Sequence, residues 1–153
     1  MKCFNGFVSN DRVINLDYVS NVSIDNNKKR VVFNFDFSVD VMTPNGRKVA
    51  QSYVYVTFDN TKERDQIIND IKSKFNEMGV YLIDIFDENN ELWNIVNFKK
   101  VSSFHFNDDE LSFVFNMNTA VDRNGRGYTD FKYKNFHDVN EYENFKAELL
   151  GLI

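Results

Sequence analysis

The sequence predicts an α+β protein made of two tandem repeats, each of about four antiparallel strands followed by one helix. Three observations support this. Short identities recur in the same order in both halves, for example Val19-Ser20 with Val101-Ser102. Long segments alternate apolar and polar residues, which is typical of strands with one buried face. Each half then ends in a segment with apolar residues at helical spacing. Such ordered recurrence indicates an internal duplication.

The alignment of the two halves rests on further matched segments along the chain. The matched pairs are Asn15-Leu16 with Asn97-Phe98, Phe33-Asn34-Phe35 with Phe113-Val114-Phe115, Asn45-Gly46-Arg47 with Asn124-Gly125-Arg126, residues 53–58 with 131–136, and Glu63 with Glu141. The spacing between partners changes only slightly, and gaps in loops account for the change.

Repeat 1 covers residues 1–79. Its clearest strand is 30–42, where Val and Phe fill one parity and polar residues fill the other. Pro44 and the following Asn-Gly favour a turn, after which 49–58 returns as the second strand of a hairpin. Residues 13–24 form one strand or two short ones, and residues 2–8 a further strand. A helix over 60–78 begins with a capping box of Asn60 and Glu63, and Gly79 ends it.

Repeat 2 covers residues 80–153 and follows the same plan. Its strands are predicted at 81–86, 92–106, 111–121 and 127–136, and its helix at 139–150 with a capping box of Asp138 and Glu141. One such unit has too small a core to be comfortably stable alone. We therefore expect one compact body in which the repeats pack as an internal pseudo-dimer about a pseudo-twofold axis.

Composition predicts a soluble intracellular protein. The hydrophobic fraction is 42% and the charged fraction 27%, values that are ordinary for a globular chain. The single cysteine, Cys3, excludes an internal disulfide framework. The N-terminus is too weakly apolar for a signal peptide, and no apolar run is long enough to span a membrane. A bias towards Asn, Lys, Ile, Phe and Tyr fits an AT-rich genome such as that of many phages, so the expected location is cytoplasmic, in the host cell or the virion if the chain is phage-encoded.

The motifs that mark enzymes and metal sites are absent from the sequence. There is no HExxH, CxxC, GxSxG or glycine-rich phosphate loop. His105 and His137 have no histidine counterpart in the other half, which favours surface roles over ligation. The acidic stretch 84–91 lacks the glycine and terminal glutamate of an EF-hand loop. The sequence therefore predicts a protein that is not an enzyme and uses no cofactor and no metal.

Charge partition favours binding by the sheets. The predicted sheet segments, 1–58 and 92–136, hold 13 Lys and Arg against 10 Asp and Glu, a net charge of +3 within a chain of net −5. The remaining segments are strongly acidic. A weakly basic sheet that also carries aromatic residues is a candidate surface for single-stranded nucleic acid. The candidate contacts are Lys28, Lys29, Arg30, Arg47, Lys48, Lys99, Lys100, Arg126, Lys132 and Lys134, with Tyr55 and Tyr133 as stacking residues.

The arrangement of two tandem units, each four antiparallel strands and a helix, resembles the PUR-repeat proteins and the related Whirly fold. The resemblance spans nearly the whole chain and is architectural. It implies an intertwined pseudo-dimer that binds single-stranded nucleic acid on curved sheets. The Whirly KGKAAL-type motif is absent from this sequence, so no functional residue is carried over from either family.

A second function class stays open at this point. An acidic chain with duplicated strand-rich units also suits a virion component, an assembly factor or a host-directed interaction module, with partners recruited at strand edges. A homo-oligomer is compatible with either class. A strong loss of affinity at higher salt would mark nucleic-acid binding, whereas a stoichiometric protein complex would mark the alternative.

Overall fold

The computed structural model describes residues 4–9, 12–118 and 129–153. In these ranges the chain forms ten strands and two α-helices. The elements are β1 Gly6–Ser9, β2 Arg12–Asn15, β3 Val19–Asp25, β4 Arg30–Met42, β5 Lys48–Thr57, α1 Thr61–Glu77, β6 Leu82–Phe86, β7 Leu92–Asn97, β8 Val101–Asn107, β9 Ser112–Asn118, β10 Thr129–Asn135 and α2 Val139–Gly151.

The strands form three antiparallel sheets. A five-stranded sheet has the order β5-β4-β3-β7-β6, a three-stranded sheet has the order β10-β9-β8, and β1 pairs with β2. The predicted α+β class with antiparallel sheets is therefore confirmed. The five-stranded sheet takes strands from both halves of the chain, because β7 pairs with β3.

Each half contains five strands where the sequence predicted about four. The extra strand arises because a single 3₁₀ turn interrupts the long segments predicted at 13–24 and 92–106. Asn15 and Asn97 cap these two turns with nearly the same backbone angles, φ −79° and ψ 106° against φ −79° and ψ 105°. Each asparagine side chain accepts a hydrogen bond from the backbone N–H two residues on.

The turn geometry corrects one of the matched segments. Lys29 and Leu111 hold the two positive-φ positions before β4 and β9, at 53° and 51°. Counting from these turns places Asn34 opposite Asn116, and the bonds Ser20 Oγ to Asn34 O (3.1 Å) and Ser102 Oγ to Asn116 O (3.0 Å) agree. Counted in this way, Phe33-Asn34-Phe35 corresponds to Phe115-Asn116-Met117, two residues further along than the predicted match with Phe113-Val114-Phe115. Alternating Phe residues allowed either alignment, and the turn selects one.

Both helices begin at the predicted caps. Asn60 accepts a hydrogen bond from the backbone N–H of Glu63 at 2.9 Å, and Asp138 accepts from the N–H groups of Asn140 and Glu141 at 2.7 and 3.2 Å. Gly79 follows α1 with a φ of 73°, the left-handed conformation that glycine adopts without steric cost. The helix limits agree with the predicted ones to within a residue or two.

Two hydrophobic cores lie on opposite faces of the five-stranded sheet. The first joins α1 and the β1–β2 hairpin to the face that carries Phe33 and Ile95. The second joins α2 and β9 to the face that carries Val96 and Ile83. The β6–β7 hairpin contributes to both cores, so it is the element that holds the halves together.

The described strands contain one ladder between the halves, β3 with β7, where a pseudo-twofold arrangement would have two. The second half lends β7 to β3, whereas in the described ranges β2 pairs with β1 and β8 pairs with β9. The expected pseudo-twofold axis would require a ladder between β2 and β8. The hairpin β1–β2 instead packs on the far side of the five-stranded sheet, where Phe7 contacts Phe33 with ring centroids 5.5 Å apart.

Candidate nucleic-acid interface

Each half of the chain has a sheet face that points away from its helix, here called the first and second outer face. On the first, Tyr55 lies opposite Val32, and Tyr53 lies opposite Asn34. On the second, Tyr133 lies opposite Val114 and Phe131 opposite Asn116. Residues directly opposite one another share a sheet face. The two outer faces therefore carry an aromatic pair at matched positions of β5 and β10.

These four aromatic rings are open to solvent. The exposed fractions are 49% for Tyr53, 40% for Tyr55, 53% for Phe131 and 55% for Tyr133. The stacking residues proposed from the sequence, Tyr55 and Tyr133, lie on the outer faces and not beneath the helices. Aromatic rings exposed on a sheet can stack on unpaired bases.

Tyr53, on the first outer face, was not predicted from the sequence, whereas Phe131, on the second, lies in the aromatic and basic segment 131–134 that suggested a stacking surface. The signal was available in the alternation of β5, where Tyr53 and Tyr55 share a parity while Val54 and Val56 take the other. In β10 the same parity holds Phe131 and Tyr133. An alternating strand with aromatics on the polar parity indicates an exposed aromatic face.

Arg30 is the one predicted cation that the structure brings onto a stacking residue. Its guanidinium carbon lies 4.5 Å from the centroid of the Tyr55 ring, which is cation–π geometry. Its Nε is buried and has no hydrogen-bond partner within the described part of the chain. The first outer face therefore carries a stacked Arg–Tyr pair, which suits recognition of a base next to a phosphate.

A network of amides and hydroxyls lies beside the aromatic pair on the first outer face. Asn34 donates to Asn21 Oδ1 at 2.9 Å and to Ser23 Oγ at 2.8 Å, and Asn94 donates to the same two acceptors at 3.2 and 3.3 Å. Asn21 and Asn94 are buried. The network fixes β3, β4 and β7 against one another and so forms a rigid, buried support beside the exposed aromatic pair of β5.

The remaining predicted cations of the first half lie in loops and at strand ends. Lys28 and Lys29 are exposed in the β3–β4 turn, and Lys29 Nζ is 3.4 Å from the carbonyl oxygen of Asp59. Arg47 and Lys48 are exposed where β5 begins, and the backbone N–H of Arg47 donates to Thr43 Oγ1 at 3.1 Å. Because these two groups lie at different turns, they give β4 and β5 a cation at each end.

Lys99 and Lys100 lie in the 3₁₀ turn before β8. Lys100 forms an ion pair with Asp36 at 2.9 Å, and both side chains are about one quarter exposed. This pair neutralises one of the carboxylates on the polar parity of β4. Lys99 is exposed on the same turn.

Lys132 and Lys134 lie on the inner side of the second sheet, opposite to Tyr133. They face the buried residues Phe115 and Phe113 across the β9–β10 ladder. The ammonium of Lys134 donates to the carbonyl of Asp84, and burial lowers its pKa, an effect that the nearby Asp84 carboxylate partly offsets. The two lysines and Tyr133 were predicted to act together, and alternation along the strand separates them.

Arg126, the last predicted contact, lies outside the described residues, as do Asn124 and Gly125 of the predicted turn. Of the matched residues Arg47 and Arg126, the structure therefore describes Arg47 alone.

Among the described residues no group of three or more His, Cys, Asp or Glu side chains is arranged to hold a metal ion. Neither α1 nor α2, the helices found in those same ranges, is long and apolar enough to cross a membrane. Comparison with protein-family models, with curated proteins and with solved structures gave no match.

Proposed function

We propose that this chain is a non-catalytic binding protein that holds single-stranded nucleic acid on the outer faces of its five-stranded and three-stranded sheets. The observation that carries the proposal is the matched pair of exposed aromatics on each face, Tyr53 with Tyr55 and Phe131 with Tyr133. Patches of exposed apolar side chains often mark binding sites. Each outer face carries two such aromatic rings on one strand. Stacking tolerates any base, because every base has a π-face.

We further propose that the two halves descend from one duplicated unit and pack as an internal pseudo-dimer, which departs from twofold symmetry at the β1–β2 hairpin. The matched 3₁₀ turns, positive-φ residues and helix caps support this. So does the register of the strands, in which Asn34 corresponds to Asn116 and Tyr55 to Tyr133. This organisation is the basis of the resemblance to PUR-repeat and Whirly proteins, which bind single strands on their sheets. The proposed setting is the cytoplasm, of a phage-infected cell if the gene is viral.

The charges around the outer faces favour stacking over phosphate contacts. Arg30 is the one cation that stacks within the first face, with Arg47 and Lys48 at its end. The residues named above on the second face, Tyr133, Val114, Phe131 and Asn116, have no charged side chain. We therefore expect moderate affinity and a shallow salt dependence, with most of the binding free energy coming from the aromatic pairs.

Fluorescence anisotropy with labelled single-stranded DNA and RNA at about 50 and 200 mM salt tests the proposal. Tyr55→Ala or Tyr133→Ala should each weaken binding by about 1 to 3 kcal/mol, the range found when one base loses its stacking partner. Tyr18→Ala is the matched control, because Tyr18 is exposed to a similar extent and lies in the first 3₁₀ turn. Arg47→Ala should lower the salt slope by about one phosphate contact.

Equal losses in the Tyr18 and Tyr55 variants would show that the outer face is not the binding surface. No binding of either oligonucleotide at low salt would remove the nucleic-acid proposal. The second function class, a virion, assembly or host-directed interaction module, would then be favoured, and a strand edge would be its contact surface. The uncharged edge of β8 supports this second candidate.

A further inference from the structure

Among the strands that the structure describes, two matched edges have no ladder partner. β7 pairs with β3 through Asn21–Val96, Val22–Ile95 and Ser23–Asn94. The corresponding strands of the other half are β2 and β8. Within the described ranges β2 forms a ladder with β1 alone and β8 with β9 alone. The Arg12 side chain of β2 also donates to the carbonyl oxygen of Tyr55 at 3.4 Å. Each of these strands therefore has one free row of backbone N–H and C=O groups.

The β1–β2 hairpin of one chain cannot reach its own β8 without crossing the five-stranded sheet. Phe33 and Ile95 share a face of that sheet, since both lie opposite Val22, and Val96 points to the other face. The hairpin packs on the side of Phe33, whereas β9 and α2 pack on the side of Val96. The free edges of β2 and β8 in one chain are thus on opposite sides of a continuous sheet.

We propose that β8 accepts the β1–β2 hairpin of a second copy of this chain, in the way that β3 accepts β6–β7 within one chain. Transferring the internal register by the matched 3₁₀ turns gives the pairs Ser103–Ile14, Phe104–Val13 and His105–Arg12. The proposal does not depend on nucleic-acid binding, because it uses strand edges and not the outer faces.

Exposed valines on the hairpin support a second copy as the occupant. Val13 corresponds to Ile95, and the exposed fraction is 55% for Val13 but 1% for Ile95. Ile95 is buried because β7 lies against β3 and beneath α1. Val8, the cross-strand neighbour of Val13, is 68% exposed. Docking on β8 would bury this apolar pair beneath α2 of the receiving copy.

The residues through which each helix would contact a hairpin differ between the two halves. In the internal contact, Lys72 of α1 bonds Asp84 of β6 at 2.7 Å. Lys72 lies twelve residues after the cap of α1, and the residue twelve after the cap of α2 is Leu150. Asp84 lies opposite Ile95, and Val8 lies opposite Val13, the counterpart of Ile95. Leu150 is 46% exposed. An ion pair at the internal contact is therefore replaced by two exposed apolar side chains that would meet at the proposed one.

The edge of β8 lacks the features that usually keep free edges apart. Native sheets protect such edges with charged residues, proline or very short strands. Among the described edge strands of five or more residues, β8 alone contains no Lys, Arg, Asp or Glu; β5 has Lys48, β6 has Asp84 and β10 has two lysines. A seven-residue uncharged edge is suited to strand addition.

The contact is head-to-tail, because each copy donates one hairpin and offers one edge. Such heterologous contacts form rings when they close and open chains when they do not. We therefore expect association to continue beyond the dimer as the concentration rises.

Sedimentation velocity over about 1 to 100 µM protein tests the proposal, a range that spans typical micromolar association. Wild type should self-associate, and Val13→Lys should weaken association at least about tenfold, a change of ~1.4 kcal/mol. Val139→Lys is the matched control: Val139 is also 55% exposed but lies at the start of α2. Circular dichroism checks that each variant is folded.

Mixing two variants tests the direction of the contact. Val13→Lys keeps β8 intact and His105→Lys keeps the hairpin intact, so each alone should stay monomeric while the mixture forms a one-to-one complex. A twofold-symmetric interface would not give this complementation.

A cysteine crosslink tests the register. Arg12→Cys in one chain should form a disulfide with His105→Cys in another, in a Cys3→Ser background, whereas the control Lys48→Cys on the edge of β5 should not. The proposal is overturned if wild type stays monomeric at every concentration, if Val139→Lys weakens association as much as Val13→Lys, or if the two variants fail to complement.

Discussion

The two hairpins have the same local structure but very different surroundings. Both pair in the same register, Phe7 with Ile14 and Ile83 with Val96, and both end in an asparagine that caps a 3₁₀ turn. In β6–β7 the last four residues of β7 are buried, since a strand pairs alongside and a core lies on each face. In β1–β2 one edge and one face are open. Local sequence therefore determines the register and the turn of each hairpin, whereas the presence of a neighbouring strand determines how deeply the hairpin is buried.

The largest expected effect comes from truncating the buried member of the matched pair Ile95 and Val13. Ile95→Ala should lower the free energy of unfolding by about 2 to 5 kcal/mol, because it removes core side-chain atoms and leaves a cavity. Val13→Ala should change it by less than about 0.5 kcal/mol in dilute solution, as is usual for exposed positions. Urea unfolding at low protein concentration measures both. Equal losses would mean that the two hairpins are buried to the same extent.

A second comparison concerns the polar residues that follow the bulge in β3 and in β8. Asn21 accepts hydrogen bonds from Asn34 and Asn94 in a buried setting, whereas its counterpart Ser103 accepts one from Asn116 at 3.0 Å in an exposed one. Asn21→Ala should cost about 1 to 3 kcal/mol, since buried donors lose an acceptor. Ser103→Ala should cost less than about 1 kcal/mol, because water replaces the hydroxyl. Thermal unfolding followed by circular dichroism measures the difference, and a costlier Ser103→Ala would contradict it.

The sequence predicted the elements whose signal is local. The caps at Asn60 and Asp138, the end of α1 at Gly79 and the strand β4 follow from residue pattern and propensity alone. It did not predict that β7 pairs with β3, since the residue pattern of 94–97 does not indicate which strand lies beside it. Strand pairing between distant segments depends on packing that periodicity does not encode.

The candidate site was predicted in part for the same reason. Tyr133 was found because it lies between two lysines, and Tyr55 because it matches Tyr133 when segment 53–58 is aligned with 131–136. Alternation along β10 was the information not used: it places Lys132 and Lys134 on the inner side and groups Phe131 with Tyr133. Parity within each strand, applied to every candidate, would have found the four-ring surface from the sequence.

The smallest expected effect is a difference in how the contacts of the two helices respond to pH. At matched positions, Arg64 of α1 donates to Asn26 at 2.9 Å, and Tyr142 of α2 donates to Asp108 at 2.6 Å. The Tyr142 hydroxyl, and then Lys146, lower the pKa of Asp108, while burial and then the same contact raise the pKa of Tyr142. Since the folded state lowers the pKa of this carboxyl, its stabilisation is complete above the unfolded value, about 3.9, and is lost as the pH falls through the folded value.

Asp108→Asn should therefore flatten the fall in melting temperature between about pH 5 and pH 2, the range in which an aspartate titrates. Asp109→Asn removes a neighbouring charge and serves as the control, and Asn26→Ala should leave the pH dependence unchanged because the bond that it removes contains no carboxyl group. If Asp108→Asn and Asp109→Asn flatten the profile equally, net charge and not the Tyr142 contact governs acid stability. A larger change in the Asp108 variant would show that α2 is held to the β8–β9 turn by an ionised carboxylate, where α1 is held to the matched turn by an amide.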